Sequence, residues 1–141
     1  MHRRLGVLLA LSLVAAAAPK APPEPPPPPP APAKITGALL QGLDKTTARV
    51  TKFTALMGQP VKFGTLEIRV RDCRLSPPEE SPETAAYMDI DELRPGEQTA
   101  QHIFSGWMFA SSPALNPLES AIYDVWVLDC STTSGSAAKQ G

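Results

Sequence analysis

Apolar and polar side chains alternate through much of the chain between residues 34 and 130. Leu66, Ile68 and Val70 are each followed by a charged side chain, and a period of two predicts a half-buried strand. Dense apolar and β-branched positions add further strand candidates, at residues 39–43, 48–53, 87–90, 103–110 and 122–130. In the last of these both faces are apolar, which favours a central strand.

Turn residues separate these candidates. Asp44, Lys45 and Thr46 lie between the first two and predict a hairpin, while Gly58 and Gly64 mark the next turns. Only residues 111–120 look non-strand. Six or seven short strands with almost no helix predict an all-β domain, either a small β-sandwich or a barrel.

The segment before this domain has the composition of an export leader and a spacer. Arg3 and Arg4 precede an uncharged apolar run at residues 5–14, and small residues follow at 15–18, which predicts a signal peptide cut after Ala17. The apolar run is shorter than the roughly 20 residues of a membrane span. If the leader were retained, it would tether the protein weakly to the membrane.

Proline dominates the next stretch. Residues 19–32 contain ten of the 17 prolines, and such a tract favours a stiff polyproline II spacer. We therefore divide the chain into a signal peptide (1–17), a Pro-rich spacer (18–33), a β domain (34–130) and a disordered tail (131–141). The expected location is outside the cytoplasm.

The chain has two cysteines, Cys73 and Cys130. An even cysteine count in an exported chain predicts a disulfide. A redox-active pair is the alternative, but the C-x-x-C spacing typical of such pairs is missing. One disulfide would supplement the modest core of a domain of this size.

Charge divides the domain. Residues 34–74 carry eight basic and three acidic side chains, whereas residues 75–130 carry one basic and ten acidic side chains. Charge complementarity between neighbouring strands is the simplest consequence, and one basic and one acidic face is the alternative. A net acidic, exported domain disfavours nucleic acid as a partner.

The residues of catalysis and metal binding are sparse. His102 is the only histidine of the domain, and no G-x-S-x-G elbow surrounds Ser105 or the serines that follow it. One histidine and two separated cysteines do not make a zinc site. Asp89 and Asp91 would share a strand face and leave open a weak cation site. We predict no catalytic residues, no metal and no cofactor.

The most distinctive stretch is residues 104–113, with three aromatic residues and a methionine within six positions. By alternation Phe104 and Met108 share one face, and Trp107 and Phe109 share the other. One pair should be core. The other is either core as well or an exposed platform for glycan, peptide or lipid. The residues predicted to bind are Trp107, Phe109, Ser111, Ser112 and, from a neighbouring strand, Tyr123.

Five blocks carry a family resemblance: GLDK at 42–45, VKFGTL at 61–66, RDC at 71–73, FSGWMFASSPAL at 104–115 and YDVWVLDC at 123–130. In these blocks the chain resembles a family of small exported alphaproteobacterial proteins catalogued as a domain of unknown function. The resemblance implies a Gram-negative periplasm, and therefore an oxidising compartment for the two cysteines. It supplies no catalytic or binding residues.

These observations predict a non-enzymatic periplasmic accessory or binding module. Its aromatic patch would contact another envelope protein or an envelope lipid or glycan. One alternative is a hydrolase acting on an envelope polymer through His102 or the carboxylates of Glu79, Glu80 and Asp89. The other is a purely structural domain that uses a sheet edge.

Overall fold

A computed structural model describes residues 14–20, 25–28, 33–133 and 135–136. Most of the predicted signal peptide, and parts of the predicted spacer and tail, lie outside these residues. The chain divides into two compact units, residues 1–30 and 31–141. In the first unit, residues 14–20 and 25–28 are exposed and have no regular secondary structure. Within the described ranges, no helix has the length and apolar character to cross a membrane.

The second unit is an all-β sandwich, as the alternating pattern predicts. Its strands are β1 (Ile35–Asp44), β2 (Arg49–Leu56), β3 (Pro60–Phe63), β4 (Leu66–Leu75), β5 (Thr84–Glu92), β6 (Gln101–Phe109), β7 (Tyr123–Thr132) and β8 (Gly135–Ser136). They form two antiparallel sheets: sheet A in the order β2-β1-β7-β8 and sheet B in the order β3-β4-β5-β6. A three-residue 3-10 helix, Pro113–Leu115, lies in the segment expected to be non-strand.

The core lies between the inner faces of the two sheets. Every second residue of β4 from Leu66 to Val70 is buried, and β5 alternates in the same way. Sheet A contributes Leu40 and Val127, both fully buried. Burial of these aliphatic side chains is the main favourable term in folding, and the alternation fixes which side chains face outward.

A disulfide joins the two sheets, which confirms the predicted pair. Cys73 in β4 and Cys130 in β7 are bonded; their Cα atoms are 5.8 Å apart, and the two residues are 57 positions apart in sequence. Both are buried, at 3% and 0% exposure. The bond therefore links the two layers through the core.

At one end of the sandwich, aromatic rings pack against glycines that have no side chain to block them. Gly64 starts the two-residue turn between β3 and β4 and takes a φ of +57°, which favours glycine. The ring of Tyr123 packs directly on Gly64, and the ring of Phe63 covers Gly42. Phe63 stacks on Phe53 with centroids 5.4 Å apart and meets Tyr123 edge-on at 5.5 Å. Tyr123 is therefore part of an aromatic cluster that closes this end of the sandwich.

Strand β7 lies between β1 and β8, and its end differs from the expected boundary. It continues through Thr132, and β8 pairs back onto it. Ser131 is only 5% exposed, and the backbone N–H of Thr133 donates to the carbonyl of Lys34. The first residues of the expected tail thus belong to sheet A, because burial and backbone pairing continue past Cys130.

Candidate functional site

The candidate site is the outer face of sheet B, which carries the side chains that alternation turns away from the core. Strands β5 and β6 bring these side chains together in cross-strand pairs. Phe109 lies opposite Ala85, Trp107 opposite Tyr87, and Ser105 opposite Asp89. Directly opposed side chains in an antiparallel sheet lie on the same face and touch. Most of the histidine, serine and aromatic positions singled out in β6 are therefore on this one surface.

Three aromatic side chains, which we call the aromatic row, occupy one half of the face: Tyr87, Trp107 and Phe109. Tyr87 and Trp107 meet edge to face with centroids 5.5 Å apart. The guanidinium of Arg74 lies 5.3 Å from the centre of the Trp107 ring, a cation–π distance. All three rings are half-buried.

The expected alternation of β6 is confirmed. Phe104 and Met108 are core residues at 9% and 3% exposure, and the aromatic row faces outward. The interpretation in which both faces of β6 belong to the core is wrong, because no layer covers the outer face of sheet B in the described part of the chain.

Polar side chains in the other half form a continuous hydrogen-bonded chain, which we call the polar chain. It runs through Asp91, His102, Ser105, Asp89 and Arg71. His102 Nδ1 lies 2.7 Å from Asp91 Oδ1, and His102 Nε2 lies 2.8 Å from Ser105 Oγ. Ser105 Oγ donates to Asp89 Oδ1 at 2.6 Å, and Arg71 Nε donates to Asp89 Oδ2 at 2.7 Å.

The hydrogen bonds of the polar chain differ in the protons that they need. Ser105 has one hydroxyl proton, which it gives to Asp89, so the bond to His102 needs a proton on Nε2. The bond from Nδ1 to the Asp91 carboxylate needs a second proton on the same ring. All three bonds form together only when the imidazole carries both protons. A neutral His102 leaves one of the contacts unmade.

Asp89 is the most strongly held carboxylate of the polar chain. The hydrogen bond from Ser105, and after it the bond from Arg71, lower the pKa of Asp89 because both favour the ionised form. The side chain of Asp89 is 24% exposed. Asp89 and Asp91 each have a partner on the face, and among the described residues no group of three or more His, Cys, Asp or Glu side chains could hold a metal ion.

Ion pairs also link the basic first part of the domain to the acidic second part. Arg71 on β4 pairs with Asp89 on β5, and Lys45 pairs with Asp124 at 3.0 Å. Other arginines pair along their own strand or just beyond it, as in Arg74 with Asp72 at 2.8 Å. The uneven charge along the sequence thus becomes partly a set of cross-strand pairs.

The predicted serines lie beyond the end of β6 and are held by Glu83. The backbone N–H and the hydroxyl of Ser111 both donate to the Glu83 carboxylate. Partial burial opposes ionisation of Glu83, but the bonds from Ser111 and from the N–H of Thr84 outweigh it, so the pKa of Glu83 is lowered. The N–H of Ser112 donates to the carbonyl of Phe109 at 3.2 Å. This corner is a structured end to the aromatic row.

The structure does not bring every predicted binding residue together. Trp107 and Phe109 share the aromatic row, and Ser111 and Ser112 follow it in the chain. Tyr123 lies on β7 in sheet A, inside the cluster with Phe63, and so does not extend the patch. Tyr87, which does, was marked in the sequence only as a strand position.

An open depression of about 290 Å³ adjoins Ser105. It is lined by Ile103, Phe104, Ser105, Asn116, Pro117 and Glu119. Asn116 Nδ2 donates to the carbonyl of Trp107 at 3.0 Å, which fixes this loop beside β6. The depression thus borders the polar chain.

Comparison with known proteins places the chain in a family. The family model described as "Uncharacterized protein conserved in bacteria (DUF2155)" matches residues 38–130, nearly the whole β domain. The chain belongs to this family. This confirms the resemblance carried by the five sequence blocks.

A curated relative, "Uncharacterized protein RP359" of Rickettsia prowazekii (strain Madrid E), is 27% identical over 95 residues. The matched segment covers 67% of this chain and 61% of the relative, so the chain spans less than two thirds of that protein's length. No solved structure matches the chain.

Proposed function

We propose that this protein is a non-enzymatic binding module of the Gram-negative cell envelope, exported to the periplasm, and that it binds through the outer face of sheet B. The observation that carries the proposal is the placement of the aromatic row beside the polar chain on one open sheet face. Recognition surfaces of proteins are enriched in aromatic residues that lie beside hydrogen-bonding groups.

Two further features support the periplasm. The apolar run at residues 5–14, followed by small residues, is typical of an export signal. The buried Cys73–Cys130 bond fits an oxidising compartment. The tract of prolines would then separate the leader from the β domain.

The test is a crosslinking pull-down of the tagged full-length protein from intact cells. We compare wild type with Trp107→Ala/Phe109→Ala, and use Trp126→Ala as the matched control. Trp126 lies opposite Gln41 on the outer face of sheet A. The control therefore removes a half-buried aromatic side chain from a surface that is not proposed to bind. We expect the control to keep the captured partners and the double variant to lose them. Equal loss in both, or no loss in either, would argue against the proposed face.

A second candidate is a serine hydrolase acting on an envelope polymer, because Asp91, His102 and Ser105 have the connectivity of a catalytic triad. The second partner of Ser105 disfavours it. A nucleophilic serine must donate its one proton to an unprotonated Nε2, whereas here Asp89 Oδ1, which can only accept, competes for that proton at 2.6 Å. The three residues also lie on an exposed sheet face, where His102 is 55% exposed.

A fluorophosphonate probe separates the two candidates, since it labels activated serines. We expect no labelling of wild type beyond that of Ser105→Ala. Labelling that depends on both Ser105 and His102 would instead favour the hydrolase.

A further inference from the structure

We propose that the ligand of the outer face of sheet B is an uncharged glycan chain, laid along β6 from Phe109 towards His102. This inference rests on the proposed function and names the class of ligand. It follows from the charge balance of the face, from its shape and from the order of its side chains.

Charged groups of both signs are interspersed on the face. Glu67 pairs with Arg69, Asp72 with Arg74 and Asp89 with Arg71, while Asp91 is hydrogen-bonded to His102 and Lys62 lies opposite Glu67. Alternating charges of this kind create no field of one sign to attract a polyanion or a polycation. They still present planar donors and acceptors, which suit the hydroxyl groups of a neutral sugar.

The order of side chains along β6 matches the two kinds of surface that a sugar ring offers. Residues two apart on a strand point to the same face about 7 Å apart, so Phe109, Trp107 and Ser105 follow one another over about 14 Å. The C–H faces of a pyranose pack on aromatic rings. Its hydroxyl edges would then meet the guanidinium of Arg74, which lies over Trp107, and the groups of the polar chain.

Other ligand classes fit this face less well. An extended peptide that adds to a sheet pairs with an edge strand, and the edge strands of sheet B are β3 and β6. A peptide paired there would lie beside the sheet and would leave the aromatic row and the polar chain on its outer face uncovered. An acyl chain would cover the paired charges and the polar chain without replacing their hydrogen bonds to water, which costs free energy. A neutral glycan satisfies both halves of the face.

The test uses the two tryptophans of the chain, Trp107 and Trp126. In full-length Trp126→Phe protein, Trp107 alone supplies indole fluorescence, and we titrate it with chitohexaose and with cellohexaose. A hexamer of galacturonic acid serves as the anionic comparison. We expect a saturable change with a neutral hexasaccharide and a weaker one, or none, with the acid.

Variants then locate the binding. By calorimetry, Trp107→Ala should weaken binding of the neutral hexasaccharide by about ten-fold or more, as loss of a central aromatic contact does, and His102→Ala by several-fold. Val50→Ser on sheet A should change nothing. Circular dichroism spectra and melting temperatures identify any variant that fails to fold. Because the His102 side chain is exposed, the His102→Ala variant tests the face even if Trp107→Ala does not fold.

The outcomes separate this inference from the proposed function. Absence of neutral-sugar binding would overturn the glycan inference, as would tighter binding of the galacturonic acid hexamer. If capture of envelope partners in the pull-down still depended on Trp107, the proposed function as a binding module would be supported and only the glycan inference would be rejected. Loss of both results would overturn both proposals.

Discussion

Removal of the disulfide should cost this domain a large share of its stability. The Cys73–Cys130 bond joins residues 57 positions apart and links the two sheets through the core. In the chain-entropy account, closing a loop of that length removes about 4 kcal/mol of conformational entropy from the unfolded chain. A domain of this size has a total stability of roughly 5–15 kcal/mol. The bond therefore contributes a quarter or more of that total.

The perturbation is the double variant Cys73→Ala/Cys130→Ala, which leaves no free thiols. We expect the free energy of unfolding in guanidinium chloride to fall by about 4 kcal/mol and the melting temperature to fall by about 15–30 °C. The denaturant slope should rise, because an unfolded chain without the cross-link exposes more surface. A loss below about 1 kcal/mol with an unchanged slope would refute the reasoning that the bond acts by restricting the unfolded chain.

Two further predictions concern acid stability and packing. Ser105 and Arg71 lower the pKa of Asp89 below its ordinary value of 3.8. The ionised Asp89 carboxylate therefore stabilises the folded state above pH 3.8, and this stabilisation is lost as the pH falls through the lowered pKa of the folded protein. The denaturant concentration at the unfolding midpoint should therefore decrease as the pH is lowered below about 4. The decrease should be less steep in Asp89→Asn than in wild type, and an equally steep decrease in both proteins would contradict this prediction. Gly42→Ala places a Cβ 2.6 Å from ring atoms of Phe63 and should cost about 1–3 kcal/mol in chemical unfolding. Phe63→Leu should restore part of that loss, and an unchanged midpoint in Gly42→Ala would show that the ring moves freely.

Local pattern was enough to predict most of the fold. Alternation in residues 66–70 identifies the inward face of β4 without any partner strand, and the turn at Asp44 joins β1 and β2 as expected. The short strand β3 was missed, because four residues between two glycine turns carry too few positions to show a period. The two-residue strand β8 and its pairing with the end of β7 were missed for the same reason at the end of the domain.

The candidate site was only partly predictable, because it depends on strand register. His102, Asp89 and Asp91 each attracted notice in the sequence, but no local rule places Asp91 opposite His102. That pairing depends on an irregularity between Ile90 and Asp91 in the β5–β6 ladder. Tyr123 was assigned to the wrong surface for a similar reason, since sequence does not say which of two sheets a strand joins.

The central claim is that the outer face of sheet B is the surface that meets the ligand, and site-specific photocrosslinking in intact cells tests it most directly. We place a benzophenone side chain at Tyr87 on that face or at Val50, which is 54% exposed and lies on β2 in sheet A. The account predicts light-dependent adducts from position 87 and none from position 50. Adducts from position 50 alone would contradict it and assign binding to sheet A.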